Sequence, residues 1–204
     1  MFLFSTRKIK YIVAHTKILK LKALRLRHDV FLEKGYIQTA FPQWIIPDKT
    51  DKISKYIIAL NQNKEIVGTL KIIPTPKFFF KIYKKAFYKN PSTKRIILNI
   101  KRNFSAEIGG LAVKKKYRKK KISNGLYKAA WLYALLKGIK WYVFGIDKEA
   151  VNSLKKCGWK ISYLGRPLFY LGSSTIPCAI LLKEQLKSVY EKNPKYYKFL
   201  VNSI

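Results

Sequence analysis

Residues 107–126 read E-I-G-G-L-A-V-K-K-K-Y-R-K-K-K-I-S-N-G-L, and the reading of this stretch decides the fold. A glutamate opens an apolar segment, Ile108 to Val113, that reads as a strand. A short cationic loop follows, and an amphipathic helix begins directly after it. A strand that delivers the chain to a helix N-terminus beside basic groups makes an anion site, because the first amides of a helix have no internal partner. A phosphate or pyrophosphate fits such a site, as acyl carriers present in phosphopantetheine and coenzyme A. Taken alone, the stretch reads equally well as a solvated lysine-rich turn between two core elements.

The whole chain narrows the choice. Its 204 residues suit one domain spanning 1–204, and 49% hydrophobic residues with 15% aromatics are ample for a real core. Lys and Arg number 43 against 10 Asp and Glu, a net charge of +33. A surface so cationic wants an acidic partner: nucleic acid, anionic lipid headgroups or an acidic protein. Cys157 and Cys178 lie without pairing or metal-ligand spacing, and with only His15 and His28 no zinc set is expected. The cysteines read as reduced and structural in a cytoplasmic protein. Lysines interrupt the apolar patches of the N-terminus, no cleavage site follows them, and no apolar run is long enough to span a bilayer.

Neither an internal repeat nor a low-complexity linker is visible. Leu21, Leu24, Val30 and Phe31 fall at helical spacing within residues 19–34, and Gly35 closes that helix. Residues 36–50 read as loop. Strands are expected at 56–60 and 66–74, a helix at 77–90, a turn at 91–94 and a strand at 96–100. After the strand at 107–113, Ser123 or Asn124 caps a helix running to Lys137. A strand at 141–146, a helix at 149–156, strands at 159–171 and 177–182 and a C-terminal helix over 184–201 complete an α/β (α+β) pattern.

Four segments, in order, resemble the acyl-homoserine lactone synthases and their relatives, the long-chain N-acyl amino acid synthases, within the GNAT acyltransferase fold. They are L-R-L-R-H-D-V-F-L-E-K-G-Y at 24–36, D-K-T-D at 48–51 with I-V-G-T-L-K-I-I-P-T at 66–75, A-E-I-G-G-L-A-V at 106–113, and L-K-K-C-G-W followed by Y-L-G-R-P and a glycine at 154–172. The resemblance implies a mixed, mostly antiparallel central sheet flanked by helices, in which 107–113 and 141–146 are neighbouring strands. It implies transfer of a fatty acyl group from acyl-carrier protein or acyl-CoA to a small amine such as an amino acid. By that likeness Arg27, Phe31, Asp48, Asp51 and Lys71 belong to the acceptor side, and Leu111, Val113, Arg118, Lys121 and Ser123 to the acyl-donor side. No permanently bound cofactor and no metal are implied.

The departures are informative. The lactone synthases carry an arginine where Gly110 stands, and another where Lys71 stands, so an acceptor like S-adenosylmethionine is disfavoured. In ordinary GNAT proteins the acyl-CoA loop reads [RQ]-x-x-G-x-[GA]. Arg118 keeps its place there, while Lys121 and Ser123 replace the two glycines. Leu154 stands where many acetyltransferases have a tyrosine acid. These losses favour a carrier-protein donor, whose single phosphate needs less of a cradle.

No Ser/His/Asp or Cys/His set is visible, so the expected chemistry is direct aminolysis, with Glu107 as the base. The expected partners are an acidic acyl-carrier protein and a small amine, with an anionic membrane surface next in line and a membrane-peripheral location to match. Autoinducer synthesis, or a basic nucleic-acid-binding module, are the alternatives. No nucleic-acid-reading motif is present, so specific recognition of that kind is not expected.

Overall fold

The computed structural model describes residues 1–202. They form two compact units. The first comprises Met1–Pro74 and Ile108–Leu136, and the second comprises Thr75–Glu107 with residues 137–202.

In the first unit, β1 (Phe2–Ser5), β2 (Lys10–Val13), β3 (Lys55–Leu60) and β4 (Ile66–Ile73) pair antiparallel in chain order. Beside β4 lies β5 (Ser105–Val113), of which residues 108–113 belong to this unit. Every residue of β4 is buried, as an inner strand covered on both faces requires. Helix α1 (Lys17–Glu33) starts where the Thr16 hydroxyl accepts the Leu19 amide at 3.2 Å, and Gly35 at φ 70° closes it. Its face of Ala23, Leu24, Leu26 and Val30 packs with Ile12, Tyr56, Ile58, Ile66 and Ala112 into one core. Helix α1 therefore rests on the sheet through ordinary apolar contact, with one charged exception, Arg27.

The second unit holds α2 (Lys77–Tyr83), α3 (Pro91–Arg102), the first three residues of β5, β6 (Trp141–Ile146), α5 (Lys148–Lys156), β7 (Ser162–Tyr163), β8 (Leu168–Tyr170), β9 (Ser173–Leu181), α6 (Gln185–Lys192) and α7 (Pro194–Val201). Strands β5 and β6 are parallel neighbours over Ser105↔Trp141, Ala106↔Tyr142 and Glu107↔Val143. Strand β6 then runs antiparallel to β9, which also pairs β7 and β8. Phe79, Tyr83, Ile100, Trp141, Val143 and Leu164 form the core of this unit. The expected class holds: a mixed α/β chain with a mostly antiparallel sheet flanked by helices.

Several boundaries differ from the sequence reading. Residues 96–100 are helical, not a strand, and the expected turn at 91–94 is the same helix's first turn. Asn90 caps it by accepting the Thr93 amide, and Pro91 supplies a pre-set first position. Thr93 and Ile100, seven positions apart, face inward together. The helix expected over 77–90 stops at Tyr83. The long strand expected at 159–171 divides into β7 and β8, and the C-terminal helix breaks at Pro194. Strands β1 and β2 are additional to the sequence reading, each being only four residues long and too short to show an alternation.

Helix α4 (Ile122–Lys137), in the first unit as far as Leu136, begins before Ser123, so neither Ser123 nor Asn124 is its cap. It lies on the sheet at Gly125, where an added Cβ would come within 2.1 Å of the Tyr11 hydroxyl oxygen and 2.2 Å of its ring. Tyr11 cannot yield, being buried and stacked on Phe4 at 4.5 Å. Replacing Gly125 by Ala should therefore lower stability by about 2 kcal/mol through overpacking, read as a fall in Tm. An unchanged Tm would mean that α4 can lift from the sheet at no cost.

Candidate active site

Two acidic residues on one short segment gather the charges of the first unit. Asp51 lies within a single 3₁₀ turn, Lys49–Lys52, which Asp48 caps by accepting the Thr50 amide at 2.8 Å and the Thr50 hydroxyl at 2.6 Å. From β4, the Lys71 ammonium donates to Asp48 Oδ2 and to Asp51 Oδ1, both at 2.5 Å. From α1, the Arg27 guanidinium pairs with Asp51 Oδ2 at 3.2 Å and approaches Asp48 Oδ2 at 3.8 Å. Its terminal nitrogens also donate to Tyr56 Oη at 3.1 Å and to the Ile46 carbonyl at 3.4 Å. The Tyr56 hydroxyl in turn donates to Asp51 Oδ1 at 2.5 Å. Lys20 closes the ring by donating to the Asp51 carbonyl.

Arg27 and Lys71 are each only 3% exposed, so their charges are affordable only because two carboxylates answer them. Asp48 is the more open carboxylate, its side chain 33% exposed against 14% for Asp51. Burial pushes the Asp48 carboxyl up, but the hydrogen bonds from Lys71 and Thr50 outweigh it and hold the group below its ordinary value. Burial, above all, raises the Tyr56 phenol, with the neighbouring carboxylates adding to the shift, so it stays a proton donor.

The structure thus brings together four residues named from sequence: Arg27, Asp48, Asp51 and Lys71. Phe31 lies elsewhere, in a small apolar cluster with Ile37 and Ile46. Tyr56 and Thr50 complete the charge cluster and gave no signal in the sequence, since a hydroxyl inside an apolar strand or a capped turn has no spacing of its own.

Gly110 explains its own departure. It holds φ 58°, and a Cβ there would meet Arg27 Cδ at 3.2 Å and Lys71 Cβ at 3.5 Å. An arginine at this point would be strained in backbone and crowd the two cations already present. The missing arginine and the buried Arg27–Lys71 pair are one arrangement.

Of the residues expected on the donor side, Leu111 and Val113 are half-buried in β5, and Ser123 stands in the first turn of α4. Arg118 is braced: its guanidinium makes a two-pronged pair with Glu33 at 2.7 and 2.8 Å, while its Nε donates to the Val113 carbonyl at 3.1 Å. Lys121, where a glycine was expected, nevertheless takes φ 60°, and Lys119 takes φ 61°. The loop keeps a left-handed backbone without the residue that adopts it freely. Beside it opens a cleft of about 720 Å³, lined by Arg7, Lys8, Asn61, Tyr117, Lys120 and Ile122.

In the second unit, Glu107 is half-buried on β5 and electrostatically coupled to Tyr83. The Thr175 hydroxyl donates to the Leu168 carbonyl at 3.1 Å, so the 2.8 Å bond between Tyr83 and Thr175 has Tyr83 as its donor. Gly145 makes room for this phenol, which would lie 1.8 Å from a Cβ there. Burial pushes the Tyr83 pKa up to about 12.

A profile of the N-acyl amino acid synthase FeeM family matches residues 22–160, more than half the chain. The chain belongs to that family. It is an acyltransferase. No sequence among curated proteins matches it. Among solved structures, FeeM, an N-acyl amino acid synthase from uncultured soil microbes, is similar with a TM-score of 0.70 at 14% identity, covering 92% of this chain and 98% of that one. The CoA-dependent acyl-homoserine lactone synthase BjaI, solved with MTA, gives 0.67 at 18% identity over 87% and 82% of the two chains. The AHL synthase LasI gives 0.67 at 16% identity over 89% and 95%. These likenesses confirm the fold expected from the four segments.

Replacing Lys71 by Met would leave two carboxylates facing one guanidinium. Breaking a buried pair by removing one partner costs about 3 kcal/mol. Asp48 has a lowered folded pKa, so its contribution is present at neutral pH and is lost as pH falls through that value. The gap in Tm between the parent and Lys71→Met should therefore be widest near neutrality and shrink below about pH 4. A pH-independent gap would show that the carboxylates do not depend on Lys71.

Proposed function

We propose that this protein transfers a fatty acyl group from a thioester donor to the amino group of a small acceptor, an amino acid being the class that fits best. The observation that carries this reading is the convergence of Arg27, Asp48, Asp51 and Lys71, drawn from 45 residues of chain, into one buried charge cluster. Asp48, ionised and the more open of the two carboxylates, is placed to receive an ammonium, while the Arg27 and Lys71 side supplies positive potential for an acceptor's carboxylate. Net charge within the cluster is balanced, which suits a zwitterion better than a sulfonium cofactor.

The α-amino group of an amino acid has a pKa of about 8 or higher, so most of it must lose a proton before attack. Glu107 serves as that base, directly or through one water. The freed amine attacks the thioester carbonyl, the tetrahedral intermediate collapses, and the carrier thiol leaves with the proton. Strand amides near Leu111 and Val113 hold the pantetheine arm and polarise the carbonyl. Arg118, clamped by Glu33, keeps the loop in shape for the donor phosphate, and Lys121 and Ser123 border it at the start of α4.

Mass spectrometry of lipid extracts from cells expressing the protein tests the reading. A new N-acyl species should appear, and Glu107→Gln should reduce it by about 10²–10⁴-fold at nearly unchanged Tm. If no such species forms and the protein is retained only on nucleic acid, the basic binding module takes its place. Full activity of Glu107→Gln across pH 6–9 would remove Glu107 as base.

The donor is an acyl-carrier protein under this proposal, because an acidic partner suits the cationic loop of Arg118, Lys119, Lys120 and Lys121. Steered association weakens with salt, the Debye length being about 8 Å at physiological ionic strength. The kcat/KM with a carrier-protein donor should fall as salt rises, and that with a small thioester should fall much less. Equal responses, or a clear preference for CoA thioesters, would overturn the carrier-protein assignment.

A further inference from the structure

The β8–β9 hairpin of the second unit ends in an apolar tip that nothing in its own unit explains. Phe169 is 76% exposed, the highest value among the large apolar side chains of the described residues, and Tyr170 and Leu171 beside it are 37% and 46% exposed. The turn is a tight one, closed by the Tyr170↔Ser173 pair, with Leu171 at φ 46° and Gly172 at φ 72°. A two-residue turn of this kind takes Asn, Asp or Gly at its first central position, because both residues need positive φ. A leucine there costs stability twice, once in backbone strain and once in exposed apolar surface.

The exposed side chains around the tip are basic. The Tyr170 ring lies 6.3 Å from that of Tyr83 on α2, and the Arg166 amide donates to the Ala86 carbonyl just beyond that helix. Lys77, Lys81, Lys84, Lys85 and Arg166 are all exposed. Neither residues 75–90 nor residues 150–183 contain a single Asp or Glu. The tip is also stiff, since the Leu168 carbonyl is held by Thr175 and Thr175 by Tyr83.

We propose that this hairpin is a membrane-docking element, with Phe169, Tyr170 and Leu171 entering the headgroup–acyl boundary of an anionic bilayer while the lysines of α2 and Arg166 lie on the headgroups. Aromatic and aliphatic side chains at that depth, with cations beside them, are the usual composition of an interfacial anchor. A protein partner would need a socket for a rigid protruding phenylalanine; a bilayer needs none, and an exposed face of lysines and arginine matches an anionic leaflet. Among the described residues no helix is long and apolar enough to cross a membrane, so the contact is peripheral. The inference stands apart from the identity of donor and acceptor.

Vesicles of phosphatidylcholine alone, and of phosphatidylcholine mixed with phosphatidylglycerol, test it by co-sedimentation of the full chain. The mixed vesicles should bind the parent protein. The double variant Phe169→Ser, Leu171→Ser should bind them at least about tenfold more weakly at unchanged net charge. Neutralising Lys81, Lys84 and Lys85 to Gln should weaken binding by a similar factor or more with the tip intact. Because all of these side chains are exposed, Tm should not move, which separates lost docking from lost folding. In Phe169→Trp, brominated lipid should quench the added emission. If the double variant binds like the parent, or the new tryptophan is not quenched, the vesicles are only adsorbing a polycation and the proposal fails. It also fails if the double variant keeps its vesicle binding but loses affinity for an acyl-carrier protein, for the tip would then be a protein-docking surface.

Discussion

The balance of two buried cations against two carboxylates is the constraint on which the first unit depends. Arg27 comes from a helix, Lys71 from an inner strand, and Asp48 and Asp51 from a short turn between other elements. Apolar packing would let α1 slide or rotate on the sheet at modest cost, because contact between aliphatic surfaces is non-directional. A guanidinium with partners at fixed positions does not permit that. The same pairing anchors the irregular segment around residues 42–54, which has few other reasons to stay in place. Structure and the proposed chemistry share these groups: the charges that pin the helix are those the proposed acceptor site uses.

Much of this was legible in the sequence, for identifiable reasons. The glutamate-led strand, cationic loop and helix after residue 107 show period and polarity changes that survive the lysine-rich composition. Arg27, Asp48, Asp51 and Lys71 stood out through the resemblance of residues 24–36, 48–51 and 66–75 to the family's segments. What was not legible had weak local signals. In α3 the run Ile96–Ile97–Leu98 resembles a strand, and only the Asn90–Pro91 pair announces a helix. Strands β1 and β2 are four residues each and carry exposed lysine or serine ends. The partnership of Glu33 with Arg118 joins positions 85 apart, and no spacing rule reaches that far.

The loop between β5 and α4 shows how one backbone shape can be held in two ways. Glycine makes a left-handed turn cheap. Here Lys119 and Lys121 make the same turn at a cost on the order of 1 kcal/mol each, and side chains supply the restraint: Arg118 on Glu33 and on the Val113 carbonyl, and Tyr117 accepting from Asn61 at 2.9 Å. Charge density is gained in exchange for conformational ease. That exchange is consistent with a chain whose acids number ten in 204 residues.

The hydroxyl chain from Tyr83 through Thr175 to the Leu168 carbonyl has a consequence for any titration of the protein. Each proton in it has one assigned acceptor, and the phenol holds its own up to about pH 12. The tether between α2 and the β8–β9 hairpin is therefore pH-silent over the whole range in which proteins stay folded. Tyr83, seated over Gly145 and bonded to Thr175, is a fixed link from α2 to β6 and β9 rather than a source of protons.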